Sequence, residues 1–198
     1  DGQVVLDHDG RHRYFPRKTS GEVDRAQLKS HIPTLDEYYA AVGTDLPLSV
    51  DVKDPATFAP MVEVARAHGA LDHLWVCHPD LALLQQWRDV APDVHLVNST
   101  GLDALPHGPE RRAAELAAAR IDAFNLRQQY WTGGLTTLFH RFDVLCFGWD
   151  AQHERQIARL IDMGIDAVYS YYVDRMVAVL ATFTGVVRPD LDALGEGR

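Results

Sequence analysis

Short apolar runs, many of them β-branched, alternate along the chain with longer segments whose apolar residues recur at helical spacing. A short apolar run is typical of a buried strand, and a 3.6-residue period is typical of an amphipathic helix. Strands are predicted at residues 4–6, 48–52, 73–77, 94–97, 121–126, 144–147 and 167–170. Helices are predicted at residues 35–42, 56–67, 81–90, 109–119, 135–140, 153–163 and 175–183. The alternation indicates βα units around a parallel sheet.

Capping residues support the predicted helix boundaries. Thr34 stands three residues before Glu37, which is the spacing of a capping box. Asp54 precedes Pro55, a combination that places a capping carboxylate before a proline in the first helical turn. Gly69 follows the helix predicted at residues 56–67 and provides its C-terminal stop.

The order of the elements predicts the fold class. No glycine-rich phosphate loop follows the first predicted strand, which disfavours a dinucleotide-binding sheet. Repeated βα units then favour an α/β fold of the (β/α)8 TIM-barrel type. Because seven strands are visible, we expect the chain to lack at least the first strand of the barrel. Residues 1–187 are assigned to a barrel domain that is incomplete at its N-terminus, and residues 188–198 to a polar tail that frays.

The charge of the chain argues against one class of partner. Lys and Arg number 19 against 28 Asp and Glu, so the formal net charge is -9. Nonspecific nucleic-acid binding needs a concentrated basic face, and we therefore expect no nucleic-acid partner. A small phosphate-containing substrate is compatible with this charge, because a few local cations and a metal ion can reverse the field inside a cleft.

The cysteines and the lengths of the apolar runs indicate the cellular compartment of the protein. Cys77 and Cys146 each lie inside an apolar run, which favours buried thiols over a disulfide. No apolar run approaches the roughly 20 residues of a membrane-spanning helix, and no secretion signal opens the chain. We expect a cytoplasmic protein without a transmembrane segment, with secretion left open because we also expect further residues upstream of residue 1. The oligomeric state is left open as well.

His8 is the candidate general acid or base. In a TIM-type barrel the functional side chains follow the carboxyl ends of the strands, and His8 follows the first predicted strand. Imidazole titrates near neutral pH, and the flanking Asp7 and Asp9 could orient the ring. The alternative is a surface histidine in a charged turn.

Asp51 and Lys53 end the next predicted strand and alternate around Val52. Alternation along a strand sends both polar side chains to the same face. A carboxylate ligates hard cations and an ammonium binds phosphate oxygens, so the pair predicts an anionic substrate held on a metal ion. A surface ion pair is the alternative. His78 and Trp149 also follow strands, although a helix N-terminus and rim packing explain them as well.

Five parts of the chain resemble the glycerophosphodiester phosphodiesterase family and occur in that family's order. They are residues 1–9 (DGQVVLDHD), 32–37 (IPTLDE), 50–53 (VDVK), Trp149 and 164–168 (GIDAV). The segment 32–37 is the most specific, and its spacing to 50–53 matches the family. The resemblance spans roughly residues 1–180 and implies a TIM-type barrel that hydrolyses phosphodiesters.

The resemblance implies roles for four residues. His8 matches the second of two catalytic histidines, and Asp51 matches a metal-binding glutamate. Lys53 matches a lysine beside the phosphate, and Trp149 matches an aromatic wall near the substrate. A Mg²⁺ or Ca²⁺ cofactor and a small glycerophosphodiester substrate are implied, with glycerol 3-phosphate and an alcohol as products. The family's His-Arg-Gly and its Glu-x-Asp metal pair are expected upstream of residue 1, in a longer polypeptide.

Departures from the family support a second hypothesis. Asp51 replaces a glutamate, which shortens the reach of the carboxylate by a methylene. The family's Thr-Val-Asn becomes DAQ at 150–152, and its Thr-Asp becomes SY at 170–171. These changes fit a catalytically degraded barrel that serves as a binding or structural domain. A phosphohydrolase of the helical His-Asp class is disfavoured, because the residues before His8 are predicted as a strand.

Overall fold

The computed structural model describes residues 2–8, 26 and 28–185. Its helices are α1 (Leu35–Val42), α2 (Phe58–Ala67), α3 (Leu81–Val90), α4 (Gly108–Ala118), α5 (Gly133–His140), α6 (Glu154–Asp162) and α7 (Val173–Thr184). Its strands are β1 (Leu48–Asp51), β2 (Leu74–His78), β3 (His95–Ser99), β4 (Ala123–Arg127), β5 (Leu145–Trp149) and β6 (Ala167–Val168). Two compact units divide the chain: Asp1–Ser99 with Ala118–Asp122, and Thr100–Ala117 with Ala123–Arg198.

The first unit is built on strands β1, β2 and β3, which pair in parallel in that order. In the central strand Val76 lies opposite Val50 on one side and Leu96 on the other. Helices α2 and α3 contribute Phe58 and Trp87, whose rings stack with centroids 4.4 Å apart. Val76 and Leu96 are fully buried, as expected for parallel strands covered by helices.

The second unit is built on strands β4, β5 and β6, which also pair in parallel in chain order. Its core is aromatic, with Phe124 and Phe139 stacked at 4.6 Å. Trp131 packs edge-on against both rings and donates from Nε1 to the backbone oxygen of Phe147 at 2.9 Å. A Cβ at Gly148 would lie 2.9 Å from Leu160, so glycine in β5 lets α6 approach closely.

Two of the predicted helix N-termini have the capping hydrogen bonds that the sequence predicts. Glu37 N–H donates to Thr34 Oγ1 at 3.1 Å, and Thr34 N–H donates to Glu37 Oε2 at 2.8 Å, which forms the predicted capping box. Asp54 accepts from Ala56 N–H at 3.0 Å, so the Asp54-Pro55 pair begins a 3-10 turn that leads into α2.

One strand prediction is wrong. In place of a barrel strand at residues 4–6, Val5 makes an isolated antiparallel bridge to Thr34. The reason is a tertiary contact, since Leu6 N–H donates to Pro33 O and Leu35 N–H donates to Val4 O, both at 2.9 Å. These bonds fix the segment to the residues that precede α1.

The remaining predicted strands and all seven predicted helices are present within residues 28–185, with parallel pairing and alternating βα order. Closure into eight strands stays a prediction. The predicted boundary at residue 187 and the tail 188–198 lie outside the described residues. Within the described part of the chain, no helix is both long and apolar enough to cross a membrane.

Candidate functional site

An exposed ion pair ends β1 in the first unit. Asp51 is the last residue of that strand, Val52 is buried, and Lys53 follows. Lys53 Nζ donates to Asp51 Oδ2, with the two side chains 49% and 54% exposed. The alternation that the sequence predicts is present, and it places a cation and an anion side by side at the carboxyl end of the strand. Such a pair can contact a phosphate oxygen and a metal ion respectively.

Asp51 supplies one part of a metal site. Its carboxylate is the donor type that Mg²⁺ and Ca²⁺ prefer, and Oδ1 accepts no hydrogen bond from the residues that the structure describes. These ions take about six to eight oxygen ligands, and no group of three ligating side chains within residues 28–185 includes Asp51. Asp51 therefore fits a hard cation as one ligand but does not complete its coordination.

His8 lies at the exposed end of the segment that is bridged to α1. Its backbone N–H donates to Asp7 Oδ1 at 2.9 Å, and its side chain is exposed. The bridge between Val5 and Thr34 anchors the backbone three residues earlier. Asp9, which could orient the ring or face water, lies outside the described residues. The acid or base role of His8 stays a prediction.

His78 has a structural role at the start of α3. Its Nδ1 accepts from Asp80 N–H at 3.1 Å, and the Asp80 carboxylate in turn accepts from Ala82 N–H at 2.8 Å. Asn98 in β3 is fully buried and donates from Nδ2 to Pro79 O at 2.9 Å. These bonds hold the turn between β2 and α3, so the helix N-terminus accounts for the position of His78.

Trp149 belongs to a polar cluster in the second unit, at the carboxyl ends of β4 and β5. It lies opposite Arg127 in the strand register, and the Arg127 guanidinium carbon is 5.7 Å from its ring centroid. Arg127 donates to Asp150 Oδ2 from Nε at 2.9 Å and from Nη2 at 2.7 Å. This hydrogen bonding from Arg127 lowers the pKa of Asp150 below its usual range. The carboxylate is therefore ionised at neutral pH.

Gln152 connects the loops that follow β5 and β6. Its side-chain oxygen accepts from Ser170 Oγ at 3.1 Å and from Tyr171 N–H at 3.0 Å. Its backbone oxygen accepts from Arg175 Nη1. Its amide nitrogen donates to Asp150 Oδ1 at 3.4 Å. The positions that depart from the family motif therefore bond to one another.

Arg127 and Arg175 were not among the site residues predicted from the sequence. Arg127 follows the predicted strand 121–126, so the rule that selected Asp51 and Trp149 would have selected it too. No local pattern marks Arg175, whose guanidinium carbon lies 3.8 Å from the centroid of the Tyr172 ring. That contact depends on the path of the chain between β6 and α7.

A second group of potential metal ligands lies at the amino ends of the strands. His140 Nε2, Cys146 Sγ and an oxygen of Asp166 all lie within 4.8 Å of one another. Burial raises the pKa of the Cys146 thiol to about 12, which keeps it protonated at neutral pH. His140 Nε2 is already bonded to Asp166 Oδ2 at 2.7 Å. In barrels this end of the sheet serves stability, so we assign the group a structural role.

Comparisons with known proteins identify the fold. No protein-family model and no curated protein matches this chain. A phosphodiesterase from Oleispira antarctica, solved in complex with the product sn-glycerol-3-phosphate, matches with a TM-score of 0.76 at 19% identity, covering 91% of this chain and 80% of that one. A glycerophosphodiester phosphodiesterase from Parabacteroides distasonis matches with a TM-score of 0.71 at 14% identity, covering 90% and 78%.

The match to a third structure, from Silicibacter pomeroyi, has a TM-score of 0.68 at 19% identity. It covers 80% of this chain, which spans 59% of the length of that protein. The chain therefore has the fold of the glycerophosphodiester phosphodiesterases, and the family resemblance seen in the sequence is confirmed at the level of the fold.

Proposed function

We propose that this chain carries the fold of a metal-dependent hydrolase of glycerophosphodiesters, which releases glycerol 3-phosphate and an alcohol. The observation that carries the proposal is the exposed pair of Asp51 and Lys53 at the carboxyl end of β1, in a chain with the fold of these enzymes. Functional groups of such barrels lie at that end. The product bound in the Oleispira antarctica structure supports a small anionic ligand.

Each predicted site residue has a defined task in this proposal. His8 moves a proton, either from the attacking hydroxyl or to the leaving alkoxide. Lys53 exchanges its carboxylate partner for a phosphoryl oxygen, where its ammonium stabilises the negative charge that grows during the reaction. Trp149 offers an exposed aromatic face to the substrate.

Asp51 is the proposed ligand of a divalent cation, Mg²⁺ or Ca²⁺. A bound ion of this kind supplies positive charge that polarises the phosphoryl oxygens. When Lys53 turns to the phosphate, both oxygens of Asp51 become available for coordination. The shorter side chain of aspartate places this ligand closer to β1 than a glutamate would.

The role of His8 can be tested by hydrolysis in the natural full-length protein. We expect His8→Ala to lower turnover of glycerophosphodiesters about 10²-fold to 10⁴-fold, because a positioned general acid or base contributes that much. Turnover is measured at saturating Mg²⁺ and again at saturating Ca²⁺. Circular dichroism of the variant should be unchanged, since the His8 side chain is exposed.

His31→Ala is the matched control, because it removes an exposed histidine of the same unit and should leave turnover unchanged. Equal turnover in His8→Ala and the native protein would remove His8 from the mechanism. Chelation with EDTA should abolish hydrolysis, and added Mg²⁺ or Ca²⁺ should restore it.

A second candidate function is a binding or structural domain without catalysis. The observation that favours it is the neutralisation of Asp51 by Lys53, which leaves the pair without net charge. Calorimetric titration with Mg²⁺ and Ca²⁺ separates the two candidates. The hydrolase should bind a divalent ion and lose that binding in Asp51→Asn, whereas a degraded site should bind none.

A further inference from the structure

Three aromatic side chains are exposed at the carboxyl ends of β5 and β6 in the second unit. Trp149 is 41% exposed, Tyr171 79% and Tyr172 43%. Exposed aromatic faces of this kind bind quaternary ammonium groups through cation–π attraction. If Trp149 contacts the substrate, these rings help to determine which alcohol group of the diester the site accepts.

Guanidinium groups of the chain already cover two of the three faces. Arg127 lies over the Trp149 ring at 5.7 Å, and Arg175 lies over the Tyr172 ring at 3.8 Å. Both distances are within the range of a cation–π contact. At Trp149 and Tyr172, a ring face that a cationic head group would take is therefore occupied by a cation from within the chain.

Hydrogen bonds hold both guanidinium groups in these positions. Arg127 is fixed by its two bonds to Asp150 Oδ2, and Arg175 is fixed by its bond to the backbone oxygen of Gln152. Gln152 also bonds Asp150 Oδ1, so the two arginines belong to one network. A quaternary ammonium group that bound to either of these covered faces would have to displace an arginine from both its ring and its oxygen partner.

The same network suits hydroxyl groups. Arg127 Nη1 and Arg175 Nη2 donate no hydrogen bond to the residues that the structure describes, and both can donate to a hydroxyl oxygen. The carboxylate of Asp150 is an acceptor for a hydroxyl hydrogen. Aromatic rings beside such groups pack against the C–H faces of a polyol.

We propose that the alcohol released from the substrate is an uncharged polyol, of the glycerol or inositol class, and that Arg127 and Arg175 disfavour choline at this position. The proposal rests on the proposed function, because it takes Trp149 to contact the diester. Arg127 acts here on specificity, by occupying the face of the ring and by offering a donor to a hydroxyl.

The test compares kcat/KM for glycerophosphoinositol and glycerophosphocholine in the natural full-length protein. We expect at least a tenfold preference for the inositol diester. Arg127→Gln should reduce this ratio about tenfold, because it uncovers the Trp149 ring and frees Asp150 for a cation. Arg155→Gln, which changes an exposed arginine on α6, should leave the ratio unchanged.

Equal or better use of glycerophosphocholine by the native protein would overturn the proposal, as would an unchanged ratio in Arg127→Gln. If neither diester is hydrolysed, the proposed function fails and the specificity is read from calorimetric binding of the same two compounds. Tighter binding of glycerophosphoinositol, weakened by Arg127→Gln, would support the proposal. Equal binding of the two compounds would overturn it.

Discussion

Asp150 shows how a single residue combines backbone strain with a fixed side chain. Its φ of 64° lies in the left-handed region, which aspartate tolerates better than most residues but less readily than glycine. Two hydrogen bonds from Arg127 hold the carboxylate and lower its pKa. Strained residues often lie at functional sites, and Asp150 directly follows Trp149.

We expect the ion pair between Arg127 and Asp150 to stabilise the fold at neutral pH and to lose this effect in acid. Because the pKa of Asp150 is lower in the folded chain, the unfolded chain binds the proton first as the pH falls. The contribution should be complete above about pH 4, the usual Asp pKa, and should decrease as the pH falls further through the folded pKa. The free energies of unfolding of the native protein and of Asp150→Asn, measured by urea denaturation, should therefore differ at pH 7 and become equal in acid.

Asp162→Asn provides the comparison, since it changes an exposed aspartate on α6. Its effect on the free energy of unfolding should be small at both pH values. If Asp150→Asn changes the free energy of unfolding by the same amount at both pH values, the ion pair between Arg127 and Asp150 does not contribute to stability.

The two units repeat one arrangement at the amino ends of their strands. Asp122 N–H donates to Leu96 O at 3.0 Å, and the Asp122 carboxylate accepts from Leu96 N–H at 2.7 Å. Asp166 makes the same two bonds with Cys146, at 2.9 Å and 2.7 Å. In each case an aspartate directly before one strand caps the second residue of an earlier strand. The helix before that earlier strand supplies the partner of the aspartate, Arg88 from α3 for Asp122 and His140 from α5 for Asp166.

In the first unit this partner is Arg88, and we expect it to be important for stability. It is 6% exposed, and its guanidinium pairs with Asp122 and donates to the backbone oxygens of Pro92, Val94 and Arg120. Arg88→Met keeps the length of the side chain but leaves these acceptors unsatisfied. The free energy of unfolding should fall by about 3 kcal/mol, because three backbone oxygens and the partly exposed Asp122 carboxylate lose their donor.

Urea denaturation measures the change. Arg66→Met is the control, because Arg66 is half-exposed on α2 and pairs with Glu63 at the surface. Its effect should stay within about 0.5 kcal/mol. Equal losses for the two variants would contradict the structural role of Arg88.

At the scale of the whole molecule, charge limits the partners of the chain. The formal net charge of -9 opposes association with a polyanion, and the positively charged groups described at the strand ends are paired with carboxylates or aromatic rings. We expect no measurable binding of a 20-base-pair duplex DNA at physiological salt, as followed by fluorescence anisotropy. A dissociation constant below about 10⁻⁶ M would contradict this expectation, because it is tighter than typical nonspecific binding.

Local sequence determined most of the secondary structure. Helices α1 and α3 have the predicted bounds 35–42 and 81–90, because hydrophobic period, capping residues and stop signals all act within a few positions. The same rules located Asp51, Lys53 and Trp149 at strand ends, since each lies at the end of a short apolar run or within two residues of it. The family resemblance then supplied their expected roles.

Tertiary structure decided what the local pattern could not. The apolar residues 4–6 gave the signal of a strand, but backbone bonds to the segment before α1 fixed them as a bridge. The pairing of Arg127 with Asp150 joins residues 23 positions apart, and it depends on the register of β4 and β5. Short-range patterns carry the preference of each segment for helix or strand. Which distant side chains meet is set by register and by loop path, which the chain acquires only when it folds.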